Sequence, residues 1–137
     1  MDRLSSDRRS ANMRMIRSRD TKPEVFVRSL IHRMGFRFRL HVKDLPGRPD
    51  IVLPRLGKVV FVHGCFWHQH SQCREGRVPK SRRDYWRPKL ERNVERDAEH
   101  RHELRRLGWK SLVVWECELD RSDTLRARLS KFLQGHA

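Results

Sequence analysis

The chain contains the run Val62-His63-Gly64-Cys65-Phe66-Trp67-His68-Gln69-His70-Ser71-Gln72-Cys73. Three histidines, two cysteines and two bulky aromatic side chains fall within these twelve residues. The run begins at Val62, the last residue of the apolar segment 58–62, whose length and β-branched residues predict a strand. We therefore expect the fold to be centred on a buried strand that opens into an irregular loop, residues 64–80, rich in metal ligands.

Length and charge limit the class of protein. A chain of 137 residues is long enough for one domain with a single compact core. The formal net charge of +15, from 32 Lys and Arg against 17 Asp and Glu, attracts polyanions such as nucleic acid. The excess of Arg over Lys also favours nucleic acid, although a GC-rich genome explains it equally well. Without an apolar run of transmembrane length or a signal-peptide pattern, we expect no membrane partner and a cytoplasmic, nucleoid-associated protein.

Hydrophobic periodicity along the chain predicts the element order α-β-β-β-α-β-α. Thr21-Lys22-Pro23-Glu24 has the pattern of a capping box, and Gly35 is expected to end the helix that follows. This order implies an α/β fold with a mixed sheet flanked by helices, and Trp109 and Trp115 are assigned to its core. The predicted strands span 36–42, 50–53, 58–62 and 111–115, and the later helices span 82–107 and 122–134.

We expect one domain, residues 21–137, preceded by a polar, Arg-rich arm, residues 1–20. The arm carries one small apolar cluster around Met13, Met15 and Ile16, and it is predicted to be partly helical and to become ordered on DNA. A disordered tail in the free protein fits the same composition equally well.

The three cysteines of the chain fit one zinc site. Cys65, His70 and Cys73 fall in one loop, and Cys117 lies just past the last predicted strand. The four groups converge if that strand is the neighbour of strand 58–62. Four protein ligands leave no open position for substrate, so the site would be structural. The alternative is a set of small buried cysteines and surface histidines.

Asp50 follows the turn Leu45-Pro46-Gly47-Arg48-Pro49 and opens an apolar strand, a suitable place for a carboxylate that holds a hard cation. Hydrolysis of a phosphodiester needs Mg²⁺ on carboxylate and main-chain oxygens, together with groups that transfer protons. His63 and His68 flank the loop and can transfer protons near neutral pH. An ordinary strand-end carboxylate and exposed histidines are the alternative.

The remaining candidates also have structural explanations, which by spacing alone are favoured for Glu24, Asp97 and Trp86. The capping box accounts for Glu24, and Asp97 has the character of a solvated charge on a helix. Phe66 and Trp67 lie among basic residues and metal ligands, where aromatic rings suit stacking on bases or wedging between base pairs. They equally suit covering the zinc site, and Trp86 fits a core position.

Together these motifs resemble those of the very-short-patch (Vsr) mismatch repair endonucleases, and the resemblance spans almost the whole chain. It rests on the segments Asn12-Met13-Arg14, Asp20-Thr21-Lys22-Pro23-Glu24, Leu45-Pro46-Gly47-Arg48-Pro49-Asp50, His63-Gly64-Cys65-Phe66-Trp67-His68, Asn93-Val94-Glu95-Arg96-Asp97, Leu107-Gly108-Trp109 and Val114-Trp115-Glu116-Cys117. The resemblance implies a restriction-endonuclease-like core. It also implies Mg²⁺-dependent nicking of one strand of double-stranded DNA, 5′ of the thymine in a T·G mismatch left by deaminated 5-methylcytosine.

The resemblance also implies a role for each candidate in catalysis. Asp50 resembles the carboxylate that binds Mg²⁺, helped by the main-chain carbonyl of Val62. His68 resembles the general base or proton-shuttling histidine, and Glu24 and His63 resemble supporting residues. Asp97 resembles a group that orients a histidine or a metal-bound water.

Outside the catalytic set, the resemblance covers the zinc and DNA contacts. The residues that resemble structural Zn²⁺ ligands are Cys65, His70, Cys73 and Cys117. Those that resemble aromatic wedges beside the mismatch are Phe66, Trp67 and Trp86. The segment that resembles an arm in the opposite groove is Met13, Arg14 and Met15. Coupling to general mismatch repair proteins is also implied, and one cut at an asymmetric lesion suits a monomer.

Three places depart from the family pattern. Gln69-His70-Ser71-Gln72-Cys73 is less rich in histidine and one residue longer than the family run, and His70 is the favoured zinc ligand within it. Val62 stands where Thr is expected, but only its carbonyl is needed for the metal. Phe61-Val62-His63 replaces the usual Asp/Glu-x-Lys pair, so histidines would substitute for the lysine. Two other functions compete with a mismatch endonuclease: a zinc-stabilised DNA-binding module without catalysis, and a related endonuclease with a different DNA substrate.

Overall fold

The structure is a computed structural model that describes residues 21–70 and 82–135. The arm residues Met13, Arg14 and Met15 and the loop residue Cys73 lie outside the described residues. Within them the elements are α1 (Lys22–Arg33), β1 (Ile51–Leu53), β2 (Lys58–His63), α2 (Arg83–Arg106), β3 (Lys110–Trp115), a 3-10 turn (Glu116–Arg121) and α3 (Ser122–Gln134). No helix in these two ranges is both long enough and apolar enough to cross a membrane.

The described strands form a mixed sheet in the order β1-β2-β3. β1 and β2 are antiparallel, with Ile51 opposite Val60, whereas β2 and β3 are parallel from the pair Lys58 and Lys110 to the pair His63 and Trp115. The predicted mixed sheet with flanking helices is therefore confirmed. The parallel register also confirms the condition for the zinc site, because β3 is the neighbour of β2.

The capping box at the start of α1 is present as predicted. The Thr21 hydroxyl accepts the Glu24 N–H at 3.4 Å, and the Thr21 N–H donates to Glu24 Oε2 at 3.1 Å. These two bonds satisfy N–H groups that the first turn of a helix otherwise leaves unpaired. α1 ends at Arg33, and Gly35 follows with φ +91°, a left-handed conformation that glycine adopts without strain.

The prediction of a strand over 36–42 is wrong. The segment makes one isolated bridge, in which Arg39 and Val52 exchange two backbone hydrogen bonds of 2.7 and 3.0 Å. His41 has φ +57°, which interrupts the extended backbone. Phe36 and Phe38 pack against the main apolar cluster. The alternating pattern thus reflects one buried face of an irregular segment.

Apolar side chains pack on both faces of the sheet. One cluster joins the sheet to α1 and α3, and a smaller one joins it to α2. The larger cluster contains Val27, Leu30, Ile31, Ile51, Leu53, Val60, Val114, Leu125, Leu129 and Leu133. Full burial of one large aliphatic side chain contributes about 1.5–3 kcal/mol. Trp109 packs against the smaller cluster as predicted, whereas Trp115 is absent from both clusters and contacts histidines instead.

The turn before β1 lies against α2 at one glycine. Gly47 has φ +76°, and a Cβ atom there would lie 2.9 Å from the Cβ of His100 on α2. Only a residue without a side chain fits this approach. The turn that carries Asp50 is thereby held at a fixed distance from the helix that carries Asp97.

Candidate active site

The carboxyl groups of Asp50 and Glu24 meet beside β2. Asp50 Oδ2 accepts the Val62 N–H at 2.6 Å, and the Glu24 carboxyl group lies close enough to raise the pKa of Asp50. Glu24 is buried, and Arg28 lies 3.4 Å from its Oε2. Glu24 therefore caps α1 and also belongs to the site, so both of its explanations hold.

Burial raises the pKa of Asp50 to about 8, and repulsion from Glu24 adds to this effect. The Val62 N–H and the guanidinium of Arg28 act in the opposite direction but do not prevail. Despite the Arg28 guanidinium, the Asp50 carboxyl group is therefore largely protonated at neutral pH when no metal ion is bound. A divalent cation would remove this repulsion, and carboxylate oxygens are ligands that Mg²⁺ prefers.

His63 and His68 form a stacked pair that lines the same cavity as Glu24. Their ring centroids are 3.8 Å apart with 9° between the ring planes. His63, at the end of β2, is 5% exposed, and its buried Nδ1 has no hydrogen-bond partner among the described residues. Burial, with the charge of His68, lowers the pKa of His63 to about 3, so this ring is neutral.

Asp97 on α2 orients His68. Its Oδ2 lies 2.6 Å from His68 Nδ1. Burial alone would raise the pKa of Asp97, but the hydrogen bond and the charge of His68 outweigh burial and lower it. An ionised carboxylate can only accept, so Nδ1 of His68 carries a proton, and in the neutral ring the lone pair is on Nε2.

His63, His68 and Asp97 bring three possible metal-ligand atoms within 4.8 Å of one another. A metal ion lies in the plane of each imidazole that binds it, about 2.0–2.1 Å from the nitrogen. The two nearly parallel rings, 3.8 Å apart, cannot both meet this condition at one ion. The geometry of this trio therefore suits proton transfer better than metal binding.

Cys65, His70 and Cys117 form a separate cluster whose ligand atoms also lie within 4.8 Å of one another. The Cys117 Sγ is 3.4 Å from His70 Nδ1, and Cys65 is buried. Tetrahedral Zn²⁺ with bonds of about 2.3 Å to sulfur and 2.0 Å to nitrogen places such ligands roughly 3.5 Å apart. Three of the four predicted zinc ligands thus come together in a suitable arrangement, and Cys73 lies in the part of the chain that is not described.

Phe66, Trp67 and Trp86 form an aromatic cluster where the loop meets the start of α2. Their ring centroids are 5.2 to 5.7 Å apart in edge-to-face pairs. Asn93 fixes the loop from α2 by donating its amide N–H to the Trp67 carbonyl at 3.1 Å. Trp86, assigned to the core as one alternative, belongs to neither apolar cluster of the described residues.

Tyr85 extends this aromatic cluster and was missed in the sequence. Its ring, 44% exposed, lies 5.0 Å from Trp86, with the Arg82 guanidinium at 4.7 Å and the Lys89 ammonium at 4.2 Å. Lys89 also donates to the Tyr85 hydroxyl at 2.9 Å. The signal in the sequence was a tyrosine between basic residues at helical spacing, three before it and four after it.

One cavity of about 650 Å³ is lined by Glu24, the two stacked histidines and aromatic rings. Glu24, which contacts Asp50, lines it together with His68. Glu116, directly after β3, also lines the cavity and was not singled out in the sequence. The remaining lining residues are Thr21, Lys22, Pro23, Val62, His63, Gly64, Cys65, Phe66 and Trp67. Carboxylates, imidazoles and aromatic surfaces therefore face one space.

Comparison with known proteins places this site in a family. Residues 1–74 match the family described as DNA mismatch endonuclease Vsr. The chain belongs to the Vsr family. The predicted family membership is thus confirmed.

Three relatives of the Vsr family illustrate the similarity. The chain is 55% identical over 132 residues to the type II nicking enzyme V.XorIIP of Xanthomonas oryzae pv. oryzae, an alignment that covers 96% of each chain. It is 45% identical to V.NmeAIP of Neisseria meningitidis, over 97% of this chain and 94% of that one. It is 47% identical over 111 residues to the Escherichia coli DNA mismatch endonuclease Vsr, over 81% of this chain and 70% of that one. These Vsr-family names are those of DNA-cleaving enzymes.

Proposed function

We propose that this protein is a Mg²⁺-dependent endonuclease that nicks one strand of double-stranded DNA, 5′ of the thymine in a T·G mismatch. The observation that carries the proposal is one cavity lined by Glu24, His63 and His68. Glu24 lies beside Asp50, and His68 is hydrogen-bonded to Asp97. Hydrolysis of a phosphodiester needs a cation and a proton carrier, and this cavity offers residues for both.

The metal would be held by the Asp50 carboxylate and the main-chain carbonyl of Val62, with Glu24 in support. When bound, Mg²⁺ supplies the Lewis acid that polarises the scissile phosphate. The raised pKa of Asp50 and the hard oxygen donors both fit such an ion. The neighbouring carboxyl groups otherwise repel each other in a poorly hydrated place.

His68 moves the proton in this proposal. Asp97 holds its Nδ1, so Nε2 is the atom that takes a proton from the attacking water or returns one to the leaving oxygen. His63 stays neutral and fixes the plane of the His68 ring by stacking on it. The two histidines thus take the place of the lysine that the strand lacks.

Recognition of the lesion would come from the aromatic cluster and the basic surface. A T·G wobble pair stacks less well than a normal pair, so opening the duplex there with Phe66, Trp67 and Trp86 costs less than elsewhere. Arg82 and Lys89, held on the Tyr85 ring, would contact phosphates at the edge of this cluster. The net charge of +15 supports non-specific attraction to the duplex.

A Trp67→Ala substitution should lower nicking of a T·G duplex and reduce the preference for it over a T·A duplex. Stacking of one base on an aromatic ring is worth about 1–3 kcal/mol, so the expected loss is roughly 5- to 100-fold. The Trp67 ring lies in the loop outside both described apolar clusters, so the unfolding midpoint should change little. Equal nicking of the mismatched duplex by variant and wild type contradicts the wedge role.

We also propose that Cys65, His70, Cys73 and Cys117 bind one structural Zn²⁺. Elemental analysis of the purified protein should find about one zinc ion per chain, and Cys117→Ser should lower this content and the unfolding midpoint. The matched control is Ser122→Ala at the start of α3, which should leave the zinc content unchanged. Wild-type protein without zinc, or a variant that keeps it, rejects the site.

A panel of duplexes tests the function directly. Each duplex carries T·G, T·A or C·G at one position, with either strand labelled, and is incubated with and without Mg²⁺. The expected product is a single nick 5′ of the thymine in T·G alone. Cleavage of both strands or of matched DNA favours an endonuclease with another substrate, and binding without cleavage favours a zinc-stabilised DNA-binding module. We further propose that the protein acts as a monomer in the cytoplasm, on the nucleoid, alongside general mismatch repair proteins.

A further inference from the structure

Trp115, at the end of β3, contacts histidines of two different clusters. Its ring stacks on His70 of the Cys/His cluster, with centroids 4.4 Å apart and 12° between planes. It also meets His63 edge to face at 5.2 Å and 75°. His63 in turn stacks on His68 at 3.8 Å. An unbroken series of ring contacts therefore connects His70 to His68.

The backbone and its neighbours fix Trp115 firmly. The parallel ladder pairs it with His63, so the two rings extend from adjacent strand ends. The backbone N–H of Trp115 donates to Glu118 Oε1 at 2.9 Å. Arg128 on α3 binds both Glu118 oxygens at 2.7 Å and donates to the Val113 carbonyl at 3.1 Å. The main chain at Trp115 is thus anchored to α3 independently of the histidines that the indole contacts.

The histidines depend on packing for their orientation. Among the described residues, His68 is held by the hydrogen bond that its Nδ1 donates to Asp97, and this bond alone leaves the ring free to turn about it. The Nδ1 of buried His63 has no hydrogen bond among the described residues. The His63 ring packs against His68 on one face, against Trp115 at the edge and against Phe61 at 5.6 Å. A ring held in this way loses its orientation when a packing partner is removed.

We propose that Trp115 is a positioning residue for the reaction, through which the Cys65-His70-Cys117 cluster holds His63, and His63 holds His68, at the angle needed for proton transfer. This inference rests on the function proposed above. The cluster then has a second effect besides anchoring its loop, because the His70 ring forms one wall of the indole's site. A group that fixes the His70 ring therefore also fixes the orientation of His68, through Trp115 and His63.

The test compares Trp115→Leu with Trp115→Phe and with the matched control Trp109→Leu. Trp109 directly precedes β3 and also packs in the fold, but it lies in the apolar cluster against α2. Two measurements are made on the full-length protein. One is kcat and KM for nicking a T·G duplex, and the other is the set of histidine ring resonances in the free protein.

Trp115→Leu should lower kcat by about 10- to 100-fold, the usual effect of losing a residue that orients a catalytic group, with KM little changed. Trp115→Phe should restore most of the rate. The His68 resonances are diagnostic, because His68 has no ring contact with the indole among the described residues, yet they should shift or broaden in the leucine variant. Trp109→Leu should lower the unfolding midpoint and leave kcat and the His68 resonances as they are.

A wild-type kcat and unmoved His68 resonances in Trp115→Leu overturn the proposal, as does an equal effect of Trp109→Leu. If Trp115→Leu does not fold, Trp115→Met, which also lacks an aromatic ring, takes its place, and a wild-type kcat with unmoved His68 resonances in that variant then counts against the proposal. The resonances are recorded without DNA or cleavage. They therefore test Trp115 even if wild-type protein fails to nick the duplex, which would overturn only the proposed function.

Discussion

Replacing Asp50 by asparagine is expected to abolish Mg²⁺-dependent nicking and to make the metal-free protein more stable. Loss of the charged ligand removes the cation, and we expect the nicking rate to fall by at least about 10³-fold, since a Lewis acid contributes several kcal/mol to such a reaction. The amide oxygen of the new side chain can still accept the Val62 N–H, so the turn should keep its place. DNA binding should persist, which separates catalysis from recognition.

The gain in stability follows from the sign of the pKa change. The pKa of Asp50 is about 8 in the folded protein, against an ordinary value of 3.8, so folding takes up a proton between these pH values. The free energy of unfolding of the wild type should therefore fall as pH rises from about 4 to 8. Asp50→Asn removes this pH-dependent loss, and removal of an unfavourable buried charge is expected to add about 0.5–2 kcal/mol to the free energy of unfolding.

The measurement is thermal unfolding of both proteins at several pH values, with and without Mg²⁺. The midpoint of Asp50→Asn should exceed that of wild type by roughly 2–8 °C near pH 8 without metal, and Mg²⁺ should raise the midpoint of wild type alone. Asp44→Asn, which removes an exposed carboxylate near the same turn, is the matched control and should change neither quantity. An Asp50→Asn protein that still nicks with Mg²⁺, or that is less stable than wild type across this range, contradicts the assignment of the carboxyl pair.

Removal of the His68 imidazole is the second change with a large expected effect. His68→Ala should lower the nicking rate by about 10²- to 10⁴-fold, the usual contribution of a positioned general base or acid. Asp97→Asn should lower the nicking rate less than His68→Ala does, because the His68 ring remains and loses only the acceptor that fixes its tautomer. The control is His102→Ala, which removes an exposed histidine from α2, the helix that also carries Asp97.

Addition of free imidazole distinguishes a proton carrier from a packing residue. The cavity left by His68→Ala lies beside the stacked His63 ring, and imidazole in the buffer should restore part of the nicking rate of this variant. Neither wild type nor Asp50→Asn should respond to it. A His68→Ala protein that nicks at the wild-type rate, or one that is inactive only because it has lost its cooperative unfolding transition, argues against a role in proton transfer.

Most of the fold could be predicted because its signals are local. A capping box begins α1, and β1, β2 and β3 are short apolar runs between turns. The wrong prediction, a strand over 36–42, has a physical cause: side-chain alternation records which face is buried, whereas a continuous strand also needs backbone angles that His41 does not adopt. The sequence shows directly which face of a segment is buried, but it indicates the backbone angles only indirectly.

The site was predictable where its residues lie in one segment or on adjacent strands. The Cys/His cluster follows from the loop 64–80 and the neighbouring position of β3, and the motifs indicated Asp50 and His68. The contact of Glu24 with Asp50 was not predictable from spacing, because the capping box explains Glu24 completely. Nor was the placement of Trp115 between His63 and His70, since apolar strand residues ordinarily belong to the core.

The close approach of Gly47 to His100 limits how far the turn before β1 can move relative to α2. The turn leads to Asp50, which we propose binds the metal ion. The helix carries Asp97, which accepts the hydrogen bond from His68, the proposed proton carrier. A Cβ atom at position 47 would lie 2.9 to 3.1 Å from the Cβ, Cγ and Nδ1 atoms of His100, so the turn and the helix are already in close-packed contact. The spacing between the turn that leads to Asp50 and the helix that carries Asp97 therefore depends on the glycine at position 47, and any larger residue there should displace one relative to the other.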